Sequence, residues 1–117
     1  MQTYSGGCQC GKVRYEVQVE IGEVLECNCS RCARLGFLLA FTPASHFKLL
    51  SGEADLTTFK FNRHMIEHQF CSSCGIQSFA LGTHPKTGEK VAAINVRCVD
   101  GIEVGGLKVR KVDGRSL

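Results

Sequence analysis

The sequence predicts a mainly β domain of antiparallel sheets stapled by zinc, and three observations carry that expectation. Strand-sized segments follow one another with Gly-rich turns between them, and helical periodicity is nowhere sustained beyond a turn. The third is cysteine: seven of the eight in these 117 residues stand in three short clusters. No internal repeat, linker or low-complexity tract interrupts residues 1–117, so one domain is expected.

The strand signal is strongest at 12–19, where Val13, Tyr15, Val17 and Val19 alternate with Lys12, Arg14, Glu16 and Gln18. A period of two puts the first set on a buried face and the second in water. Weaker strands are expected at 23–27, 36–42 and 46–50, punctuated by Pro43 and Gly52. Segments 56–61 and 65–70 follow, with Asn62-Arg63 as their turn, and 76–81 and 91–98 flank the turn-rich stretch 82–88. Phe37, Phe41, Phe59, Phe61, Phe70 and Phe79 are expected in the core. The longest apolar run, 35–42, is strand-sized and far short of a bilayer span, so no membrane partner is expected.

Cluster sizes dictate how metal is shared. Zinc with thiolate ligands takes four donors in a closed structural site, whereas three protein donors leave a position for water or substrate. Cys8 and Cys10 form one pair and Cys71 and Cys74 another, and together they make four; Cys27, Cys29 and Cys32 stand as a triplet. Two zinc ions per chain are expected, one structural and one with a position to spare. The rival use of cysteine, a disulfide framework, belongs to secreted chains, and residues 1–7 show no basic stretch followed by an apolar run. Cysteines one residue apart are also poorly placed to bridge each other but well placed to grip one ion. The compartment that follows is a reducing one, most simply the cytoplasm.

In Cys71-Ser72-Ser73-Cys74-Gly75 the glycine suits a tight knuckle with positive φ, and Cys8-Gln9-Cys10-Gly11 repeats the idea. A structural zinc contributes on the order of ten kcal/mol, comparable to the whole stability of a domain this small. The triplet admits two readings. It is either a second closed site, with Cys98 or one of His46, His64, His68 and His84 as fourth ligand, or an open site. Three thiolates make zinc a weak Lewis acid toward water, so capture of an exogenous thiol as thiolate is the more natural chemistry of an open site.

The formal net charge of +3 counts cysteines as neutral, and seven thiolates with two zinc ions bring it near zero. The basic balance is therefore no sign of nucleic acid. A thiol carrying carboxylates would need cations near the triplet. Arg31 is the best placed, between Cys29 and Cys32, with Arg34 next and Arg63, His64, His68 and Arg97 further off. His68 is read either as a hydrogen-bonded strand residue or as a neighbour of substrate, and Cys98 as a buried, inert thiol.

The segments 5–15, 27–32, 68–76 and 95–98, with their cysteines in order, resemble the glutathione-dependent formaldehyde-activating enzyme family, which includes the centromere protein V relatives. The resemblance implies a Mss4-like, or β-tent, fold. It implies a structural zinc on Cys8, Cys10, Cys71 and Cys74 and a catalytic zinc on Cys27, Cys29 and Cys32. It further implies a carbon–sulfur lyase that joins glutathione, a small-molecule thiol, to formaldehyde. The stretch 60–68 and the tail 107–116 look like those of a subgroup. The rival reading is a non-catalytic, zinc-stabilised binding module for protein or nucleic acid. Its only charge cluster is Arg110, Lys111 and Arg115, which Asp113 interrupts and no aromatic accompanies.

Overall fold

The structure is a computed structural model and describes residues 1–60, 66–84 and 86–116. The described strands are β1 (Gln2–Gly7), β2 (Arg14–Val19), β3 (Glu23–Cys27), β4 (Leu39–Pro43), β5 (Phe47–Ser51), β6 (Leu56–Phe59), β7 (Ile66–Cys71), β8 (Phe79–Thr83), β9 (Lys90–Asn95) and β10 (Lys108–Val112). One short helix, α1 (Ser30–Leu35), lies between β3 and β4. The strands form a three-stranded sheet, β1-β2-β5, and a seven-stranded sheet, β10-β3-β4-β9-β8-β7-β6. This is the mainly β fold expected, with one addition: β10 runs parallel to β3, pairing Lys108 with Glu23 through Val112 with Cys27. Among the described residues no helix is long and apolar enough to cross a membrane.

The alternation read at 12–19 is the seam of the core. Val13, Tyr15, Val17 and Val19 are fully buried and share one core with Val24, Ala40, Phe79 and Ile94 from the larger sheet and Val96 just after β9. Tyr15, Phe47 and Phe79 bring their rings together at 4.6–5.9 Å between centroids, which ties β2 and β5 to β8. The other aromatic expectations divide. Phe37 is buried, but Phe41 and Phe59 are 49% and 42% exposed because their strands turn those positions away from the core. Phe61 and the turn at Asn62-Arg63 lie outside the described residues.

Where boundaries move, a local hydrogen bond or a close approach explains it. The strand expected at 36–42 starts at Leu39, because Gly36 closes α1 in the left-handed region at φ 70° with its N–H on Cys32 O. The strand expected at 91–98 ends at Asn95, whose side chain accepts the Arg97 N–H and turns Val96–Cys98 into a 3₁₀ turn. β1 has no apolar pattern of its own; it exists by pairing with β2 from Gln2 opposite Val19 to Gly7 opposite Arg14. Glycine is required there, since a β-carbon at Gly6 would sit 2.6 Å from Tyr15 Oη.

Gly52 follows β5 at φ 90°, and a β-carbon there would stand 2.5 Å from Lys12 O and 2.8 Å from Val13 Cα. Both the backbone conformation and the space exclude a side chain. Gly52→Ala is expected to cost about 2–3 kcal/mol of stability, read as a lowered urea midpoint at unchanged m-value. A midpoint equal to wild type would contradict the close approach.

Candidate functional site

Two cysteine groups stand out, and all eight cysteines are unbridged. In the first, the Sγ atoms of Cys8, Cys10, Cys71 and Cys74 lie within 4.8 Å of one another. Two knuckles present them. The β1–β2 turn is closed by Cys8 N–H to Val13 O at 3.1 Å and Gly11 N–H to Cys8 O at 3.3 Å. The turn after β7 is closed by Gly75 N–H to Cys71 O at 2.7 Å and Cys71 N–H to Ile76 O at 3.0 Å. Gly11 and Gly75 take φ 85° and 79°, the positive values expected of such turns.

Electrostatics in this group favour a cation. The Ile76 N–H, chiefly, draws the Cys74 thiol down to about 6. The Lys12 N–H favours a thiolate at Cys10 as well, but burial and the crowding sulfurs push that thiol up to about 11. Four thiolates this close repel, and a divalent ion is what lets all four ionise together. The donor set therefore fits a tetrahedral thiolate-bound metal such as zinc.

The second group is Cys27, Cys29 and Cys32, again with sulfurs within 4.8 Å. Cys27 ends β3, Cys29 caps α1 by accepting the Cys32 N–H on its Sγ at 3.3 Å, and the Cys29 N–H points at Cys27 Sγ at 3.4 Å. Burial alone would raise the Cys29 thiol, but the Cys32 and Arg31 N–H groups and the neighbouring sulfurs lower it. Cys32 is raised, first by burial and then by Cys29 and Cys27. Three soft donors aimed at one point fit a metal too. Among the described residues no fourth Cys, His, Asp or Glu donor joins them.

The described candidates for that fourth place are engaged elsewhere. His46 Nδ1 meets Thr42 Oγ1 at 3.1 Å, and His84 Nδ1 accepts the Lys86 N–H at 3.2 Å. Cys98 is half-buried near Gln77 O, its thiol raised to about 11 by burial first and by the charges of Cys8 and Cys74 next. His64 and Arg63 lie outside the described residues. Arg34 Nη1 donates to Ser30 O of its own helix at 2.9 Å.

Beside the triplet opens a cleft of about 530 Å³, lined by Cys27 and Cys32 and by residues of β3, α1, β10 and the Arg97 turn. The sequence reading missed its far wall. The chain from the end of β10 onward crosses the triplet: the Asn28 N–H donates to Val112 O at 3.2 Å, Asn28 Nδ2 to Asp113 Oδ1 at 2.9 Å, and the Arg115 N–H to Asn28 Oδ1 at 2.9 Å. Gly114 lies so close that a β-carbon there would collide with Cys27 Sγ. The signal available in the sequence was a lone glycine between charged residues near the tail.

Arg31 does not line the cleft. Its guanidinium lies over the Phe59 ring at 4.9 Å and donates twice to Gln77 Oε1, from Nη2 at 2.7 Å and Nε at 3.2 Å. Arginine only donates, so these bonds fix the amide oxygen of Gln77 and turn its Nε2 toward His68 Nδ1, 3.0 Å away. His68 Nδ1 must then accept, and the ring carries its proton on Nε2. Protonation at Nδ1 would set donor against donor, and burial first, then the Arg31 charge, lowers His68 to about 4. His68 is thus a buried, hydrogen-bonded strand residue of β7, the first of its two expected readings.

Comparison with known proteins agrees with this architecture. The family model described as glutathione-dependent formaldehyde-activating enzyme matches residues 3–109. The crystal structure of a Rhodobacter sphaeroides protein is similar over 91% of this chain and 99% of that chain, at 28% sequence identity and a TM-score of 0.77.

The locked imidazole has a pH signature. Unfolded, a histidine takes a proton near 6.5; folded, His68 does so near 4. The unfolded state therefore binds more protons within that window, and stability is full above 6.5 and falls as pH drops toward 4. His68→Asn removes this dependence, so across the window urea midpoints of wild type should fall relative to the variant, while acid release of metal affects both alike. A constant offset, or a ¹⁵N spectrum showing the proton on Nδ1, would refute the assignment.

Proposed function

The chain belongs to the glutathione-dependent formaldehyde-activating enzyme family, and from that premise we propose that it is a carbon–sulfur lyase joining glutathione to formaldehyde. The activity belongs to one zinc-binding domain spanning residues 1–117. Cys8, Cys10, Cys71 and Cys74 hold a structural zinc, and Cys27, Cys29 and Cys32 hold a second, catalytic one. The observation that carries this reading is the sulfur triplet with no fourth described donor, facing a cleft of about 530 Å³. Zinc held by three thiolates supplies a position at which an incoming thiol ionises near neutral pH.

The chain's own groups do the rest. The addition forms a bond from the thiol sulfur to the aldehyde carbon and moves the carbonyl π pair to oxygen. The proton lost by the thiol ends on that oxygen, carried by water. Cys27 and Cys32 bring the sulfur end of the cleft to a point, and Asn28, clasped to Asp113 and Arg115, holds the far wall against them. Holding both reactants in one small volume converts a bimolecular encounter into an oriented one. Arg31 contributes from outside the cleft, as a fixed positive charge on the helix that carries Cys32.

Two measurements test this. Protein purified under reducing conditions should hold two zinc ions per chain, with the average sulfur number at the zinc edge rising when glutathione is added. Two four-sulfur zincs unmoved by glutathione would instead make both sites structural and favour a binding module. Cys29→Ser isolates the role of the triplet, because serine also caps a helix and so spares α1 while removing a soft ligand. The variant should stay folded and lose roughly 100-fold or more of the rate acceleration.

A further inference from the structure

The cleft beside the triplet contains an arginine that the fold has anchored and that, among the described residues, has no anionic partner. Arg97 is exposed and sits in the 3₁₀ turn after β9, its backbone N–H held by Asn95 Oδ1 at 3.2 Å. Its Nε donates to Gly36 O at 3.0 Å. Gly36 is the residue that closes α1, with its own N–H on Cys32 O at 2.9 Å. The guanidinium is thereby pinned one helical turn from Cys32, on the wall of the same cleft.

Pinning through Nε leaves the two terminal nitrogens. Among the described residues the ion pairs are Arg14 with Asp100, Lys60 with Glu67 and Arg110 with Glu23, so no carboxylate is committed to Arg97. Arg31 differs, since Gln77 takes two of its donors. Lys111, on β10 across the cleft, is likewise in none of those pairs; its register neighbour is Glu26, which also lines the space. Asp113 is occupied by Asn28 and Ser116. The cleft thus offers a cationic fork, a second cation and one uncommitted carboxylate around a sulfur-binding end.

Resting on the lyase reading, we propose that Arg97 binds a carboxylate of the thiol substrate, with Lys111 in support and Glu26 facing its ammonium group. A planar guanidinium held by its Nε presents the geometry that grips a carboxylate in two parallel hydrogen bonds. A space of about 530 Å³ is of the size that encloses a small peptide.

The test is calorimetry on zinc-loaded protein with three probes: glutathione, 2-mercaptoethanol, and the sulfur-free tripeptide γ-glutamyl-alanyl-glycine. Arg97→Ala should weaken glutathione about tenfold or more and abolish the weaker binding of the sulfur-free tripeptide, leaving 2-mercaptoethanol unchanged. Arg97→Lys, which keeps the charge and loses the fork, should fall between. Equal loss for both thiols, or none for either, overturns the assignment. If wild type binds the sulfur-free tripeptide through Arg97 but neither thiol, the carboxylate subsite stands and the lyase reading falls. If it binds none of the three, both fall.

Discussion

Everything else in this molecule hangs on four sulfurs, from two turns some sixty residues apart, gathered within 4.8 Å of one another. One turn joins β1 to β2 in the smaller sheet; the other follows β7 in the larger. Both hydrophobic faces meet just behind them, at Tyr15, Phe47 and Phe79. Like-charged thiolates do not gather unaided, and a chain of this size buries too little surface to force them together. A divalent ion held there would reconcile the two, and the same binding energy that neutralised the sulfurs would fix the angle between the sheets.

Position at the second group follows from the first through one side chain. Gln77 stands three residues after Cys74, so the knuckle that presents Cys74 also sets the start of the approach to β8. Its carbonyl accepts from Asn95 Nδ2 at 3.0 Å, fixing the turn that carries Arg97, and its side chain grips Arg31 in α1 and His68 in β7. The helix bearing Cys32 and the turn bearing Arg97 are both referred to this residue. A chain of directional hydrogen bonds thus transmits the geometry of the closed cluster to the cleft, in a buried setting where each bond is worth more than it would be in water. Arg31 reads differently in this light: sequence spacing marks it as a substrate cation, and the fold spends two of its donors on registering two elements.

Features with a local cause were legible in the sequence. β2 declares itself because burial on one face imposes a period of two, and the cysteine groups declare themselves because short spacings bring sulfurs together in any tight turn. β1 and β10 carry no such mark. Their residues are mostly exposed, and what makes them strands is backbone pairing with β2 and β3. α1 is under two turns long and owes its start to a cysteine cap, which helical periodicity cannot report. The far wall of the cleft escaped for the same reason: Gly114 is separated from Cys27 along the chain and the parallel pairing of β10 brings it there, whereas Arg97, already among the expected cations, is placed by its bond to Gly36. Phe41 and Phe59 show the converse, aromatic content without the alternation that would place it inside.

The tail also decides what kind of ligand the charge layout suits. Arg110, Lys111 and Arg115 look like a basic cluster in one dimension, yet successive residues of β10 point to opposite faces of the sheet. Arg110 is paired with Glu23, Lys111 stands beside Glu26 in the cleft, and the Arg115 backbone is bound to Asn28. A polyanion needs cations spaced along one face so that several phosphates are neutralised together. Here cations and carboxylates alternate around a small concave space that ends in sulfur. Charges of both signs at close range favour a small zwitterion, whose own opposite charges can be met one by one, over a strand of like charges that would meet Glu26 and Asp113 as repulsion.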